Sequence, residues 1–365
     1  MSETARGFDL SRWPQAGQWL ALLLLSAALS WAWGAAGMPA ALLLGPMIGG
    51  IAFGVSRAGI AVPGLPYLAA QGVIGAMVAA ALNGGIFTAF ARDWLLFTVV
   101  MAATLLASAA LGWIISRRGL IPGSTAIWGT TPGAATTMVM LAEAHGADMR
   151  LVAFMQYARV LMVALAAALV ARFWVGGSAP ARPTANWLAP VDWFALAETL
   201  VLIAAGQWLG RLVRLSAWGL LGPMLLLTAA HLGAGVPIEL PRPLLAACYA
   251  LLGWYIGLGF RRESLLHAWR ALPAILLSIL SLMASCAALA WCLTRLAHVD
   301  ALTAYLATSP GGMDSVAIIA ATSGNVDVPF VMALQGVRLV FVIVLAPYLA
   351  RWVVRSSKHL QQRPA

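Results

Sequence analysis

The sequence predicts an all-α, polytopic membrane protein made of two copies of one half, and three observations carry that prediction. Hydrophobic residues make up 62% of the chain and charged residues 9%. A soluble domain carries about 25% charged residues, so this chain has too little polar surface to enclose a core in water. Apolar runs of about 20 residues, the length that spans a bilayer, recur throughout. The third observation is a doubled signal. Leu44-Gly45-Pro46-Met47 returns as Leu221-Gly222-Pro223-Met224 after 177 residues, Thr131-Pro132-Gly133 as Ser309-Pro310-Gly311 after 178, and Gln156-x-x-Arg159 as Gln335-x-x-Arg338 after 179. Gly-Pro, Pro-Gly and Arg are each costly in an apolar helix. Their return in the same order marks two repeats that interrupt their helices at matching places, the pattern of transporters with a site between repeats.

The first half reads as apolar segments at about 17–35, 39–56, 65–82, 93–115, 120–143 and 150–174. The second reads as segments at about 192–212, 216–234, 242–260, 271–294, 301–322 and 329–353. In the first segment, Arg6 and Arg12 precede an apolar run in the manner of a signal peptide. That run is long for such a leader and many spans follow, so an uncleaved helix is expected. The second segment of each half carries Gly-Pro-Met and is expected to break there. The third segments are rich in glycine (Gly72 and Gly75; Gly253, Gly257 and Gly259), which suits close helix packing. The fifth carries the Pro-Gly pair and the sixth the Gln-x-x-Arg. Between the halves, 176–190 is rich in Gly and Pro and reads as a linker, so the repeats occupy 1–175 and 191–365, leaving no room for a soluble domain.

The formal net charge is +10, yet all basic residues except Arg159 and Arg338 fall in loops, tails or segment ends. Such loops orient membrane proteins, so no nucleic-acid partner is expected. Charge also discriminates between topologies. If all twelve segments cross, Arg92, Arg150, Arg211, Arg214, Arg261, Arg262 and Arg270 face outside. If each fifth segment is re-entrant, each half crosses five times and the second copy is inverted. The outside set then shrinks to Arg92, Arg172, Arg182, Arg242 and Arg295. The positive-inside rule favours the second arrangement: two inverted repeats of about five spans plus one broken or re-entrant helix each, both termini cytoplasmic.

The chemistry gathers in the fifth and sixth segments. Pro removes an amide donor and Gly loosens the backbone, so the chain is expected to be non-helical from Thr130 to Gly133 and from Thr308 to Gly312. Backbone freed at membrane depth is tolerated where it lines a cavity or is buried in protein. Thr131 or Ser309 would cap the following helix with Pro at its first position, and amides at such a start favour an anion. The substrate-binding set comprises Thr130, Thr131, Gly133, Thr136, Thr137, Gln156 and Arg159 with Ser309, Gly311, Gly312, Ser315, Gln335 and Arg338. Gln and Arg three apart share a helix face. Each Arg lies 9 or 10 residues into its segment, too deep to reach water easily, so it serves either as a strut to freed carbonyls or as the charge partner of an anion. Asp314 breaks the symmetry, its counterpart being the neutral Thr136. A carboxylate there is a candidate carrier of H⁺ or Na⁺, or an ion-pair partner of Arg338.

The five histidines are scattered, the three cysteines lack metal-ligand spacing, and no hydrolase or phosphate-loop motif occurs in a usable context, so no cofactor, metal site or enzyme activity is expected. The Leu-Gly-Pro-Met segment, the Gly123–Ala134 stretch and the later Ser-Pro-Gly-Gly-Met-Asp resemble the bacterial AbrB-type duplicated membrane proteins over about residues 20–354. That family is commonly labelled ammonia monooxygenase or regulator of gene expression, and shares its name with an unrelated small DNA-binding transition-state regulator. The resemblance implies a bacterial inner-membrane location. The residues point to a secondary transporter of a small anion, or else to a membrane-embedded sensor that affects gene expression indirectly. The partners expected are the lipid bilayer, the substrate and the coupling ion, and a homodimer is compatible with this.

Overall fold

The computed structural model describes residues 10, 13–36, 40–81, 85–121, 123–133, 138, 142, 146–173, 190–215, 217–297, 299–323, 326–338, 341 and 342. All regular structure among them is helical: α1 (Gln15–Ala35), α2 (Ala41–Val55), α3 (Gly64–Ala81), α4 (Gly85–Arg117), α5 (Gly123–Thr130), α6 (Met149–Phe173), α7 (Trp193–Leu212), α8 (Trp218–Ala234), α9 (Arg242–Leu258), α10 (Arg262–Ala268), α11 (Leu272–Ala297), α12 (Ala301–Thr308), α13 (Met313–Thr322) and α14 (328–338). Among the described residues five helices are long and apolar enough to cross a membrane: α1, α4 over Phe97–Arg117, α6 over Met149–Val170, α7 and α11. Helices α9 and α10 would make a sixth span with a 49° bend. Large apolar side chains such as Leu24, Trp31, Phe194 and Trp208 point outward, as they do where lipid is the solvent.

Two expectations are corrected here. The second segments do not break at Gly-Pro: α2 runs through Pro46 and α8 through Pro223. Proline at 223 cannot donate to the carbonyl of Gly219, four residues earlier. The side-chain amide of Gln207 donates to that carbonyl instead, at 3.1 Å, and repairs the helix. The segments are also not uniformly about 20 residues long. Helix α2 has 15 residues, and α8 and α9 have 17 each, or about 22–26 Å at 1.5 Å per residue, short of a hydrocarbon core of about 30 Å. Both α2 and α8 start on an alanine in the left-handed region, Ala40 (φ 54) and Ala217 (φ 52), at matching positions of the two halves.

Packing interlocks the halves. Helix α2 lies against α9, and α3 against α8. Glycines set the distance. A Cβ on Gly257 would fall 2.3 Å from the Met47 carbonyl oxygen, one on Gly253 2.6 Å from that of Leu43, and one on Gly75 2.4 Å from that of Leu220. The glycine-rich third segments thus serve close backbone approach, as expected. The Gly-Pro glycines do the same, since a Cβ on Gly45 would meet Ser30 and one on Gly222 would meet the Gly206 carbonyl, each at 2.2 Å.

The fifth segments fold back on themselves. The Asp148 amide, one residue before α6, donates to the Thr125 hydroxyl in the first turn of α5 at 3.0 Å. The Asp327 amide, just before α14, likewise donates to Thr303 in the first turn of α12 at 3.1 Å. Each segment therefore ends beside its own beginning. With eight residues, α5 and α12 reach only about 12 Å inward before the chain turns.

Candidate functional site

Each hairpin tip is a short non-helical stretch held by the helix that follows it. Helix α5 ends at Thr130, and its last carbonyls would be orphaned. Every one has a donor. Ile127 O accepts from the Thr131 amide and hydroxyl, and Trp128 O and Gly129 O from Gln156 Nε2 at 2.8 and 3.5 Å. Thr130 O accepts from the Ser108 hydroxyl at 2.8 Å. Beyond the helix, Thr131 O accepts from Gln156 Nε2 and Arg159 Nη1 at 3.1 and 2.9 Å, and Gly133 O from Arg159 Nη2 at 3.5 Å. The second tip repeats the scheme. Gln335 Nε2 donates to Leu306 O, Ala307 O and Ser309 O, and Arg338 donates to Ser309 O and to Gly311 O, the latter at 3.0 Å.

The tips cross. A Cβ on Gly311 would lie 3.0 Å from Val163, one turn beyond Arg159, and one on Gly312 3.4 Å from Val160. A Cβ on Gly133 would lie 3.0 Å from Val342, one turn beyond Arg338. Each tip thus rests against the arginine helix of the other half. Among the described residues Arg159 and Arg338 are the buried charged side chains, at 1% and 3% exposure, and no buried carboxylate accompanies them. The Nε–H of both arginines is buried without a hydrogen-bond partner. Here the halves also part company. Gln156 Oε1 accepts from Arg159 Nη2 at 2.6 Å, whereas Gln335 Oε1 is buried with no partner.

The sequence profile described as transition state regulatory protein AbrB matches residues 42–354, most of the chain and both tips with their Gln-x-x-Arg pairs. The chain belongs to the AbrB family. It is 47% identical over 337 residues to the Escherichia coli (strain K12) protein named "Putative regulator AbrB", covering 92% of this chain and 96% of that one. It is 26% identical over 294 residues, 76% of each chain, to the uncharacterized protein YhjN of Bacillus subtilis (strain 168).

Within this AbrB-family frame, Thr130, Thr131, Gly133, Gln156, Arg159, Ser309, Gly311, Ser315, Gln335 and Arg338 are buried around the two tips, with Gly312 half-buried beside them. Thr136, Thr137 and the side chain of Asp314 lie outside what is described; the Asp314 backbone is in the first turn of α13. The capping expectation is corrected. Ser309 ends α12 and its hydroxyl donates back to Leu306 O at 2.9 Å, while Gly312, with no side-chain cap, begins α13. The Thr131 hydroxyl likewise points back to Ile127 O at 2.7 Å. These hydroxyls complete the preceding helix because its carbonyls, deep in an apolar environment, have no water to turn to. Sequence reasoning missed Ser108 and Cys286, which occupy matching positions on α4 and α11 behind the tips. Thr130 Oγ donates to Ser108 O at 3.2 Å and Thr308 Oγ to Cys286 O at 3.1 Å. Their 178-residue offset, the same as that of Thr131 and Ser309, was the signal available. Among the described residues no three His, Cys, Asp or Glu side chains gather.

Proposed function

We propose that this protein is a secondary transporter of a small anion, with no enzymatic step, working in the bacterial inner membrane with both termini in the cytoplasm. Its halves form inverted repeats, divided at 176–190. The single observation that carries the reading is the pair of buried guanidiniums at the crossing of two helical hairpins, each with an unpaired Nε–H. Burying a charge without a partner is costly, so the arrangement favours an anion at the centre. The inverted topology is supported by the folding-back of both fifth segments, which leaves an odd number of crossings per half. The arginines are not free ligands throughout: their terminal nitrogens tie the tips, and the tie and the anion share each guanidinium.

Asp314 is the coupling group for H⁺ or Na⁺ in this reading. Purified protein in proteoliposomes is expected to accumulate an anion down an imposed H⁺ or Na⁺ gradient, with Asp314→Asn uncoupling uptake from the gradient. Saturable binding with no flux for any member of a broad anion panel would overturn it. A second reading, a membrane-embedded sensor acting indirectly on gene expression, is favoured by the family description and the name of the E. coli relative. It predicts that binding-without-flux outcome, together with altered transcript levels in a deletion strain.

A further inference from the structure

We propose that α10 and the arginines gathered around it form a docking surface for the headgroup of an anionic phospholipid, which fixes this helix in the membrane interface. The proposal rests on the membrane location in the reading above and not on movement of a substrate.

The sequence of α10 sets its place. Helix α9 has 17 residues and reaches about 26 Å, most of a hydrocarbon core of about 30 Å, before α10 begins. The chain then turns by 49°, and 261–270 carries Arg261, Arg262, Glu263, His267 and Arg270. So many ionisable groups in so short a stretch are too costly for the hydrocarbon and put α10 at its edge. The helix is apolar on two sides. Leu265 and Ala268 pack inward on the core, whereas Leu266 and Trp269 are 63% and 66% exposed. An outward Leu and Trp flanked by arginines suit a helix lying in the headgroup layer.

Neighbouring elements enlarge the basic face. Helix α10 packs against α6 and α2. A Cβ on Gly54 would lie 2.6 Å from the Phe260 carbonyl oxygen, so the end of α2, with exposed Arg57, sits beside the start of α10. At the other end, His267 Nε2 lies 2.6 Å from Asp148 Oδ2, which brings in exposed Arg150. Arg57, Arg150, Arg261, Arg262 and Arg270 thus come together from three elements. The carboxylates on this face are Glu263 and Asp148, and Asp148 is taken by His267. Among the described residues none of the five arginines is in an ion pair. Phosphodiesters at a membrane surface supply the complementary charge. The outward Leu266 and Trp269 would meet acyl chains, so a lipid fits this face better than a soluble anion. The repeat frame does not demand these charges: at an offset of 178, Arg261 and Arg262 correspond to Asn83 and Gly84.

The test uses the full-length protein in uncharged detergent micelles, titrated with phosphatidylglycerol, with phosphatidylcholine, or with inorganic phosphate. The unfolding temperature is expected to rise with phosphatidylglycerol and to stay unchanged with the other two. Arg261→Gln/Arg262→Gln/Arg270→Gln is expected to raise the half-effective phosphatidylglycerol fraction by about tenfold or more. A matched triple on other elements, Arg117→Gln/Arg118→Gln/Arg295→Gln, is expected to leave that fraction unchanged. Should the first triple fail to fold, Arg57→Asn/Arg150→Gln alters two exposed side chains alone and is expected to raise it about fivefold or more. Asparagine is chosen because Arg57 holds left-handed backbone (φ 59). Equal stabilisation by phosphatidylcholine or inorganic phosphate, an equal loss in the matched triple, or an unaltered response in the α10 or Arg57/Arg150 variants would overturn the proposal. Phosphatidylglycerol binding without anion flux would overturn the transport reading alone; gradient-driven flux with no phosphatidylglycerol preference would overturn this proposal alone.

Discussion

Gln156 puts one amide nitrogen among three carbonyls at the end of α5 and its oxygen on Arg159. Replacing it with leucine fills similar volume and strands those acceptors where no water reaches them. Gln156→Leu is expected to cost about 1–3 kcal/mol, read as a lowered unfolding temperature in micelles. Ser108 tests the same logic at smaller scale: Ser108→Ala removes the donor to Thr130 O and is expected to cost about 1 kcal/mol. The reciprocal change, Cys286→Ser, supplies a stronger donor near Thr308 and is expected to be neutral or mildly stabilising in the same assay. The arginines and glutamines were legible in the sequence because a charge and an amide deep in an apolar segment have few physical excuses. Ser108 and Cys286 were not, because a small side chain in a membrane helix is unremarkable until its partner is known.

At the level of elements, glycine and strain dominate. Gly257→Ala would press a Cβ against the Met47 carbonyl between α9 and α2 and is expected to destabilise by about 1–3 kcal/mol, while Gly64→Ala, with open space around it, stays near wild type in thermal unfolding. Ala40 and Ala217 hold left-handed backbone at the starts of α2 and α8 at a cost of about 1 kcal/mol each. Ala40→Gly and Ala217→Gly are therefore expected to raise the unfolding temperature, less the extra chain entropy of glycine. The segment pattern anticipated nearly every helix, since apolar length is written directly in composition. It misplaced the breaks wherever a distant side chain decides. Gln207 repairs α8 across Pro223, so a Gly-Pro that reads as a break is a continuous helix. The break from Ser309 to Gly312 lies where the Pro-Gly pair predicts it, and only the role of Ser309 differs, its hydroxyl turning back to Leu306 O instead of capping the next helix. Helix α10 had no signal of its own within a polar, arginine-bearing loop.

Across the whole molecule, the two halves are clasped at the surface as well as in the core. His267 Nε2 lies 2.6 Å from Asp148 Oδ2, joining α10 of the second half to the start of α6 in the first. Burial pushes the Asp148 carboxyl up, but the His267 hydrogen bond and charge and the amides of Leu151 and Arg150 outweigh it, leaving it below its ordinary 3.8. A carboxyl lowered by folding stabilises above its unfolded value, and that contribution is lost as pH falls through the folded one. The stability advantage of wild type over Asp148→Asn is expected to be present at about pH 6 and to shrink as the pH falls below the ordinary carboxyl range in thermal unfolding scans.

The pairing of α2 with α9 and of α3 with α8 also bears on how the protein is made. When the ribosome has finished the first half, neither α2 nor α3 yet has the surface it is shaped to meet. The glycine-lined backbone of α2 must wait in the lipid until α9 emerges some two hundred residues later. Assembly of the core thus cannot proceed half by half and waits for the helices of the second half. Two separately expressed fragments, 1–175 and 191–365, should each be short-lived alone and recover abundance only when made in the same cell.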